Sequence, residues 1–262
     1  MSDSRAVLVT GGSRGIGRAI AHAFAAAGDR VAVHWGASRE RAEAVLAELP
    51  GDGHVLVQAD LADAEAVGRM VDEAAAALGG LDVLVNNAGV FTAHPPLSVS
   101  YEEWQAAWSR TLAVNLLGAA NATFRAVPHL VAAGGGAIVN VSSVAATIAF
   151  PGIAGYSGTK SAVDRMTRIA AAEAGRLGYG VRVNCIYPGL VPTAMGMQLA
   201  VDCAELGLFE SPEAAVGAVV GLTPSGRLGE VADMADAVVF LASDAARFVN
   251  GTGLSVDGGM GS

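Results

Sequence analysis

The sequence predicts an α/β fold, in which one doubly wound domain carries a seven-stranded parallel sheet with helices on both faces. Short apolar runs alternate with long Ala-rich stretches along all 262 residues. These short runs are almost continuously apolar, which is typical of parallel strands covered on both faces. No linker-like stretch divides the chain and its length suits one such unit, so we expect a single domain over residues 1–262.

The individual elements follow from these patterns. The predicted strands are residues 6–10, 30–35, 54–59, 81–85, 137–141, 181–186 and 254–256. The first helix is predicted to run to about residue 27, because Ile16, Ile20 and Phe24 recur at helical spacing. The further helices are predicted over residues 38–49, 62–78, 101–133, 156–177 and 230–242, with a looser segment over 189–224 that carries helical pieces.

Three local signals refine the helices. Ser38 and Asp63 are residue types that favour the position just before a helix, so each is expected to start one. Pro128 predicts a break or a bend in the long helix, because proline has no N–H group for the helical hydrogen bond.

Composition and charge exclude several function classes. The chain has 25 acidic against 16 basic residues and a net charge of −9, whereas nucleic-acid binding needs a basic face. No uncharged apolar run reaches the roughly 18 residues that a membrane span needs. The two cysteines, Cys185 and Cys203, form no CxxC motif and have no histidine at ligand spacing. We therefore expect a cytoplasmic protein with no metal site and no nucleic-acid or membrane partner.

A glycine-rich turn joins the first strand to the first helix. Residues 10–17 read TGGSRGIG, so backbone N–H groups at a helix start can attract a phosphate, and the missing side chains let it approach. The spacing is GxxxGxG rather than GxGxxG, and an isolated glycine-rich turn is often only a turn. The strand before it and the helix after it favour a dinucleotide site of the Rossmann type.

The end of the second strand distinguishes the two nicotinamide dinucleotides. An NAD site usually has an acidic residue there for the ribose 2′-hydroxyl, but the first acid here is Glu40. Arg14 in the turn, with Ser38 and Arg39 just past the strand, suits a 2′-phosphate. We therefore expect NADP(H) to be preferred, with NAD(H) as the second option. The alternative is that Arg39 belongs to a solvated helix face with Glu40 and Arg41.

Tyr156 and Lys160 form the first candidate catalytic pair. They stand at positions i and i+4 on one face of a helix, and Lys160 is the only lysine in the chain. A cation within ~4–6 Å lowers the pKa of an acidic group such as the tyrosine phenol by roughly 1–3 units. A lower pKa would favour proton transfer by Tyr156 near neutral pH. Ser142 and Ser143 end the preceding strand, where ligands bind in open α/β sheets. The alternatives are a chance aromatic–lysine pair and a local backbone role for Ser142.

In their order and spacing, these motifs resemble the short-chain dehydrogenase/reductase family over essentially the whole chain. The matching segments are TGxxxGxG at residues 10–17, NNAG at 86–89, YxxxK at 156–160 and Pro-Gly at 188–189. The subgroup that the chain resembles most is that of the β-ketoacyl-carrier-protein reductases and their relatives. Residues 256–260 resemble the tetramer-forming end of the family, so the resemblance implies a homotetramer.

The resemblance implies a catalytic tetrad. Tyr156 would be the general acid in reduction and the general base in oxidation, while Ser143 would orient and polarise the carbonyl group. Lys160 would hold the nicotinamide ribose and lower the pKa of Tyr156. Asn115 would hold a water molecule in a proton relay, and this role rests wholly on the resemblance.

A cofactor-binding set follows from the glycine turn, the end of the second strand and the family resemblance, which adds Asp60 and Leu61 at the adenine. In chain order its members are Gly11, Ser13, Arg14, Gly15, Ile16, Gly17, Ser38, Arg39, Asp60, Leu61, Asn87, Ala88, Gly89, Tyr156, Lys160, Pro188, Gly189, Val191 and Thr193.

The expected function is an NADP(H)-dependent oxidoreductase that interconverts a small hydrophobic ketone and its secondary alcohol. Residues at about 190–212 are expected to form an apolar, methionine-containing substrate lid. Residues 131–136 carry no basic side chain with which to dock an acidic carrier protein. His94 lies near the expected cleft and is interpreted as a surface-loop residue.

Three further functions stay open. Two are enzymes: a 3-oxoacyl-thioester (acyl-carrier-protein) reductase and an NAD-dependent hydroxysteroid-type dehydrogenase. The third is a non-catalytic NADP(H)-sensing protein, which the presence of all four tetrad residues disfavours.

Overall fold

The structure, a computed structural model, describes residues 4–91 and 99–261. Its centre is a seven-stranded sheet in the order β3-β2-β1-β4-β5-β6-β7, and every neighbouring pair of strands is parallel. The predicted fold class, a doubly wound Rossmann-type sheet with helices on both faces, is confirmed. Among the described residues, no helix is both long and apolar enough to cross a membrane.

The strands lie close to their predicted positions. They are β1 (Ala6–Val9), β2 (Arg30–Trp35), β3 (Val55–Gln58), β4 (Val83–Asn86), β5 (Gly136–Val141), β6 (Val181–Pro188) and β7 (Gly253–Val256).

Nine α-helices form over the described residues. They are α1 (Gly15–Ala26), α2 (Arg39–Glu48), α3 (Ala64–Leu78), α4 (Tyr101–Thr111), α5 (Ala119–Ala132), α6 (Ala154–Arg176), α7 (Ala194–Glu205), α8 (Pro212–Leu222) and α9 (Val231–Ala242). Ser38 and Asp63 precede α2 and α3, and each side chain accepts backbone N–H groups there, as predicted.

The sheet is buried on both faces because successive side chains of a strand point in opposite directions. In β1, Val7 and Val9 belong to the core formed with α1 and α9, where Phe24 and Leu241 are fully enclosed. Leu8 points the other way, into the core formed with α3, α5 and α6. This double burial explains why the strands are almost continuously apolar in the sequence.

The chain reverses its direction of travel across the sheet at β1. Strands β2 and β3 lie on one side of β1 and strands β4 to β7 on the other. In such sheets a crevice opens between the carboxyl ends of the two strands at the reversal. The loops after β1, β4, β5 and β6 all begin at the carboxyl ends of the strands, and they carry predicted site residues.

The helix is not broken at Pro128, so of the predicted break or bend only a bend stays a prediction. Helix α5 continues through Pro128 to Ala132, and the irregular segment lies earlier, in a π-helical turn over Leu112–Gly118 between α4 and α5. The wider turn accompanies two tertiary contacts that the sequence pattern does not reveal. The Asn115 side chain bonds to the backbone of Val90, and Gly118 lies so close to Leu61 that a Cβ atom would come within 2.9 Å of it.

The segment after β6 folds over the crevice as α7 and α8. Thr193 and Ser211 accept backbone N–H groups at the starts of these helices. Cys203 and Ala215 are buried between them, and Phe150 stacks on Phe209 with ring centroids 6.4 Å apart.

We predict that Gly136→Ala destabilises the fold, because a Cβ atom at Gly136 would overlap the backbone carbonyl oxygen of Asp82. Overpacking of this kind costs about 1–3 kcal/mol. The matched control is Gly217→Ala in α8, where nothing lies within 4 Å of the added atom and alanine is favoured in a helix by up to about 1 kcal/mol. The urea midpoint of unfolding should be lower than that of the wild type for Gly136→Ala and higher for Gly217→Ala. Equal midpoints would contradict the close packing of Gly136 in β5.

Candidate active site

The glycine turn is shaped to receive an anion. Gly11 and Gly15 have φ angles of +66° and +54°, which favour glycine, and a Cβ atom at Gly17 would overlap the carbonyl oxygen of Gly11. Helix α1 begins at Gly15, and no side chain caps its first turn, whereas Asp63 caps α3. The N–H groups at the start of α1 therefore lack a side-chain acceptor and, with the helix dipole, favour a phosphate.

Three side chains fix the position of this turn. The Thr10 hydroxyl accepts the backbone N–H groups of Asn87 and Ala88 at 3.0 and 3.1 Å. The Asn87 amide donates to the carbonyl oxygens of Thr10 and Gly11. From below, Nδ1 of His34 accepts the N–H of Gly11 at 2.9 Å. The turn after β1 and the loop after β4 are thus joined into one surface.

Lys160 is hydrogen-bonded to residues at the end of β5. Its Nζ donates to the carbonyl oxygen of Val141 at 2.8 Å, and its own carbonyl oxygen accepts the Ser142 hydroxyl at 2.9 Å. The side chain is buried, with 4% of its surface exposed. Burial lowers the pKa of Lys160 to about 8, because the charged form loses hydration.

Tyr156 lies one helical turn before Lys160, and its hydroxyl is hydrogen-bonded to the side chain of Ser143. Burial raises the pKa of Tyr156, and the hydrogen bond from Ser143 opposes this in part. The expected lowering of this pKa by Lys160 is therefore wrong for the protein alone. The ammonium group lies 5.6 Å from the centre of the phenol ring and bonds to Val141 instead.

Asn115 holds the loop that follows β4. Its Oδ1 accepts the N–H of Val90 at 2.8 Å, and its Nδ2 donates to the Val90 carbonyl oxygen at 2.9 Å. The residue is buried in the π-helical turn and does not line the cavity. Both polar atoms of its amide are hydrogen-bonded to the backbone of Val90, so Asn115 positions the loop after β4. Its role in a proton relay remains a prediction.

One cavity of about 980 Å³ connects these parts. Its wall includes residues of the glycine turn and α2, together with Tyr156 and Lys160. The same wall carries a group of apolar side chains, which are Phe91, Val144, Ile148, Phe150, Leu199, Phe209 and Met260.

The dimensions and lining of the cavity fit a dinucleotide. Gly89 faces the space between Asn115 and Lys160, where a Cβ atom would come within 3.3 Å of Oδ1 and 3.7 Å of Nζ. The uncapped start of α1 and the Lys160–Tyr156 pair line the same cavity, so it offers groups for both a pyrophosphate and a nicotinamide ribose.

The comparisons with known proteins agree with this geometry. A family model described as enoyl-(acyl carrier protein) reductase matches residues 11–261. The chain is 37% identical over 262 residues to the 3-oxoacyl-(acyl-carrier-protein) reductase FabG of Staphylococcus aureus, with 99% of each chain covered. It is 40% identical over 259 residues to the D-threitol dehydrogenase of Mycolicibacterium smegmatis, a match that covers 98% of this chain and 93% of that one.

A solved structure adds the three-dimensional match. A short-chain dehydrogenase from Burkholderia cenocepacia, solved in complex with NADP, has a TM-score of 0.84 at 35% identity, and the match covers 98% of both chains. The chain belongs to the short-chain dehydrogenase/reductase family. It is therefore an oxidoreductase that acts on the CH–OH/C=O pair.

The structure brings nearly all of the predicted site residues to one cavity. Ser143 and every predicted cofactor-binding residue except Arg39 line it. Arg39 points away from the cavity and pairs with Glu43 at 2.8 Å, with 75% of its side chain exposed. The structure thus places Arg39 outside the cavity wall, and its part in cofactor binding stays a prediction. His94 lies outside the described residues.

Arg41 and His34 are among the polar residues of the cavity wall that were not predicted from the sequence. Arg41, the residue after Glu40 in α2, lines the cavity where Arg39 was expected. His34 lines the cavity floor and is 2% exposed. The sequence held a signal for His34, since a histidine in an otherwise buried strand needs polar partners.

We predict that the burial of Lys160 makes stability depend on pH. Its pKa is about 8 in the folded protein against an ordinary 10.5, so between these values the unfolded chain binds more protons and the free energy of unfolding rises with pH. Lys160→Met removes this contribution. Urea unfolding from pH 8 to pH 10 should therefore show a rise in the wild type beyond that of the variant, and parallel pH curves would contradict the burial.

Proposed function

We propose that the protein is an NADP(H)-dependent oxidoreductase that interconverts a hydrophobic ketone and its secondary alcohol, with Tyr156 as the general acid and base. The observation that carries this proposal is the continuity of the cavity. Tyr156 lines the same cavity as the glycine turn and the apolar side chains, and one of these, Phe91, packs against its ring. A ketone packed on the apolar side chains would have its oxygen beside the phenol.

The preference for NADP(H) rests on two cations. Arg14 and Arg41 line the cavity and form no ion pair with any other described residue. Ser38 lies beside them, and no acid of β2 is available for a ribose 2′-hydroxyl. Two uncompensated guanidinium groups favour a 2′-phosphate. The similar protein from Burkholderia cenocepacia was solved with NADP, which supports this choice.

The proposed mechanism uses the tetrad side chains. When bound, the nicotinamide supplies or accepts the hydride. In reduction, the Tyr156 hydroxyl gives its proton to the carbonyl oxygen while the Ser143 hydroxyl, bonded to the same phenol, orients that oxygen. Lys160 holds the nicotinamide ribose, with its ammonium group aligned by Val141. Because burial raises the pKa of Tyr156, its phenol is protonated at neutral pH and ready for reduction.

The substrate class follows from the apolar side chains in the cavity wall. Side chains from three parts of the chain meet there: Phe91 after β4, Phe150 before α6, and Leu199 and Phe209 from the proposed lid at about residues 190–212. The Phe91 ring also packs edge-on against Tyr156, with centroids 5.3 Å apart. Such walls favour a ring-containing or otherwise apolar ketone over a charged one.

A second candidate is a 3-oxoacyl-(acyl-carrier-protein) reductase. It is favoured by the 37% identity to the Staphylococcus aureus enzyme of that name. An NAD-dependent hydroxysteroid-type dehydrogenase and a non-catalytic NADP(H) sensor complete the candidate functions. We also propose that the chain forms a homotetramer, which agrees with exposed apolar side chains such as Phe124 and Phe248.

We predict that the ketones reduced fastest are hydrophobic. Initial rates of NADPH and NADH oxidation would be measured with a cyclic ketone, a cyclic diketone, a steroid ketone and an acetoacetyl thioester. The proposal expects a hydrophobic ketone to be reduced fastest, with NADPH. A clear preference for the thioester would select the reductase of acyl carriers, and tight NADPH binding without turnover would select the sensor.

We predict that Tyr156→Phe lowers turnover by about 10²–10⁴-fold, the usual contribution of a general acid. The change removes only the hydroxyl oxygen, so the dissociation constant of NADPH should stay within about threefold of the wild type. Steady-state rates and NADPH fluorescence titration measure the two quantities. Unchanged turnover would contradict the assignment of Tyr156.

We predict that Arg41→Ala weakens NADPH binding by about tenfold or more, the size expected for the loss of a charge-assisted contact, and leaves NADH binding within about twofold. Arg39→Ala removes the same charge two residues away and is the matched control. It should change neither affinity by more than about twofold. Equal effects of the two substitutions on NADPH binding would contradict the assignment of Arg41.

A further inference from the structure

His34 is a buried polar residue that the proposed mechanism does not use. It lies near the end of β2, beneath the glycine turn, and only 2% of its surface is exposed. Its ring makes two hydrogen bonds. Nδ1 accepts the N–H of Gly11 at 2.9 Å, and Nε2 lies 3.1 Å from the carbonyl oxygen of Ala59.

These two contacts fix the form of the imidazole. A backbone N–H group can only donate, so Nδ1 carries a lone pair. A carbonyl oxygen can only accept, so Nε2 carries the proton. The ring is therefore neutral, and burial acts in the same direction by lowering the pKa of His34. The further ionisable groups that line the cavity near the glycine turn, α2 and the loop after β3 are Arg14, Arg18, His22, Arg41, Asp60 and Arg110, which pairs with Asp60.

The two partners of His34 belong to different parts of the dinucleotide site. Gly11 is the first glycine of the turn, and its φ of +66° turns the chain toward α1. Ala59 directly precedes Asp60 and Leu61, which line the same cavity after β3. A single side chain thus joins the turn to the loop after β3. Next to the side-chain bond, the carbonyl oxygen of His34 also accepts the N–H of Gly12 at 2.9 Å.

We propose that His34 is a positioning residue for the dinucleotide, which holds the glycine turn in its binding conformation through the lone pair of Nδ1. This inference rests on the proposed function. The bond to Gly11 is the part that matters for affinity, because it orients the first peptide of the turn. The bond to Ala59 selects the tautomer that makes this acceptor available. His34 touches neither substrate nor reacting atoms, so it should act on cofactor binding and not on turnover.

Two amide substitutions separate the contacts of the ring. His34→Asn places its amide near the position of Nδ1 and keeps an acceptor for Gly11. His34→Gln reaches one bond further, to the position of Nε2, and keeps only the donor to Ala59. Both variants introduce a neutral amide into the same buried site, so a merely structural cost of losing the imidazole should affect them equally.

The experiment measures the dissociation constants of NADPH and NADH by fluorescence titration, and kcat at saturating NADPH, with the ketone that the wild type reduces fastest. The proposal expects binding by His34→Asn within about threefold of the wild type and binding by His34→Gln weaker by about tenfold or more. It expects kcat to stay within about twofold in both. Equal affinities of the two variants, or an equal loss of kcat, would overturn it.

Two further readouts keep the test decisive. If a variant fails to fold, the ¹⁵N shifts of His34 in the wild type report the tautomer, and a protonated Nδ1 would overturn the proposal. If the wild type itself binds neither dinucleotide, the proposed function fails and this inference fails with it. If the wild type binds NADPH and His34→Gln binds it equally tightly, only the positioning role is overturned.

Discussion

The active-site edge of the sheet depends on a buried pair of amides. Asn86 and Asn140 lie opposite each other in β4 and β5, and Nδ2 of Asn86 donates to Oδ1 of Asn140 at 2.9 Å. Asn86 also donates to Thr123 of α5, and Asn140 donates to Thr167 of α6. Buried polar groups cost free energy unless they are paired, so the network fixes both helices relative to the sheet. The site lies directly beyond these residues.

The fixed position of α6 explains how the charged side chain of Lys160 can be buried. The hydrogen bonds between Lys160, Val141 and Ser142 give the ammonium group one acceptor and join α6 to the end of β5. Tyr156 lies one turn earlier in α6, and its hydroxyl is hydrogen-bonded to Ser143. Burial lowers the pKa of Lys160 and raises the pKa of Tyr156. The phenol of Tyr156 therefore stays protonated, while the ammonium group of Lys160 loses its proton more easily than an exposed lysine does.

Most of the fold and much of the candidate site could be predicted because their signals are local in sequence. The strands are read from apolar runs, and Tyr156 with Lys160 from a four-residue spacing. Arg41 could not be predicted, because the direction of its side chain is set by how α2 packs, whereas for His34 the sequence shows a polar residue in a buried strand but not its partners. The same holds for the π-helical turn, which accompanies the contact of Asn115 with Val90 and lies before Pro128. The pKa of Tyr156 depends on burial, which no spacing reports.

In the proposed reaction the carbonyl carbon receives its hydride from the nicotinamide, and the carbonyl oxygen receives its proton from Tyr156. The most direct test is reduction of the preferred ketone with NADPH that carries deuterium at both C4 positions of the nicotinamide, followed by mass spectrometry of the alcohol. We expect one deuterium on the carbinol carbon, whereas in D₂O with unlabelled NADPH this carbon should carry none. An alcohol without label from the cofactor, or with carbon-bound label from solvent, would contradict the proposed reaction.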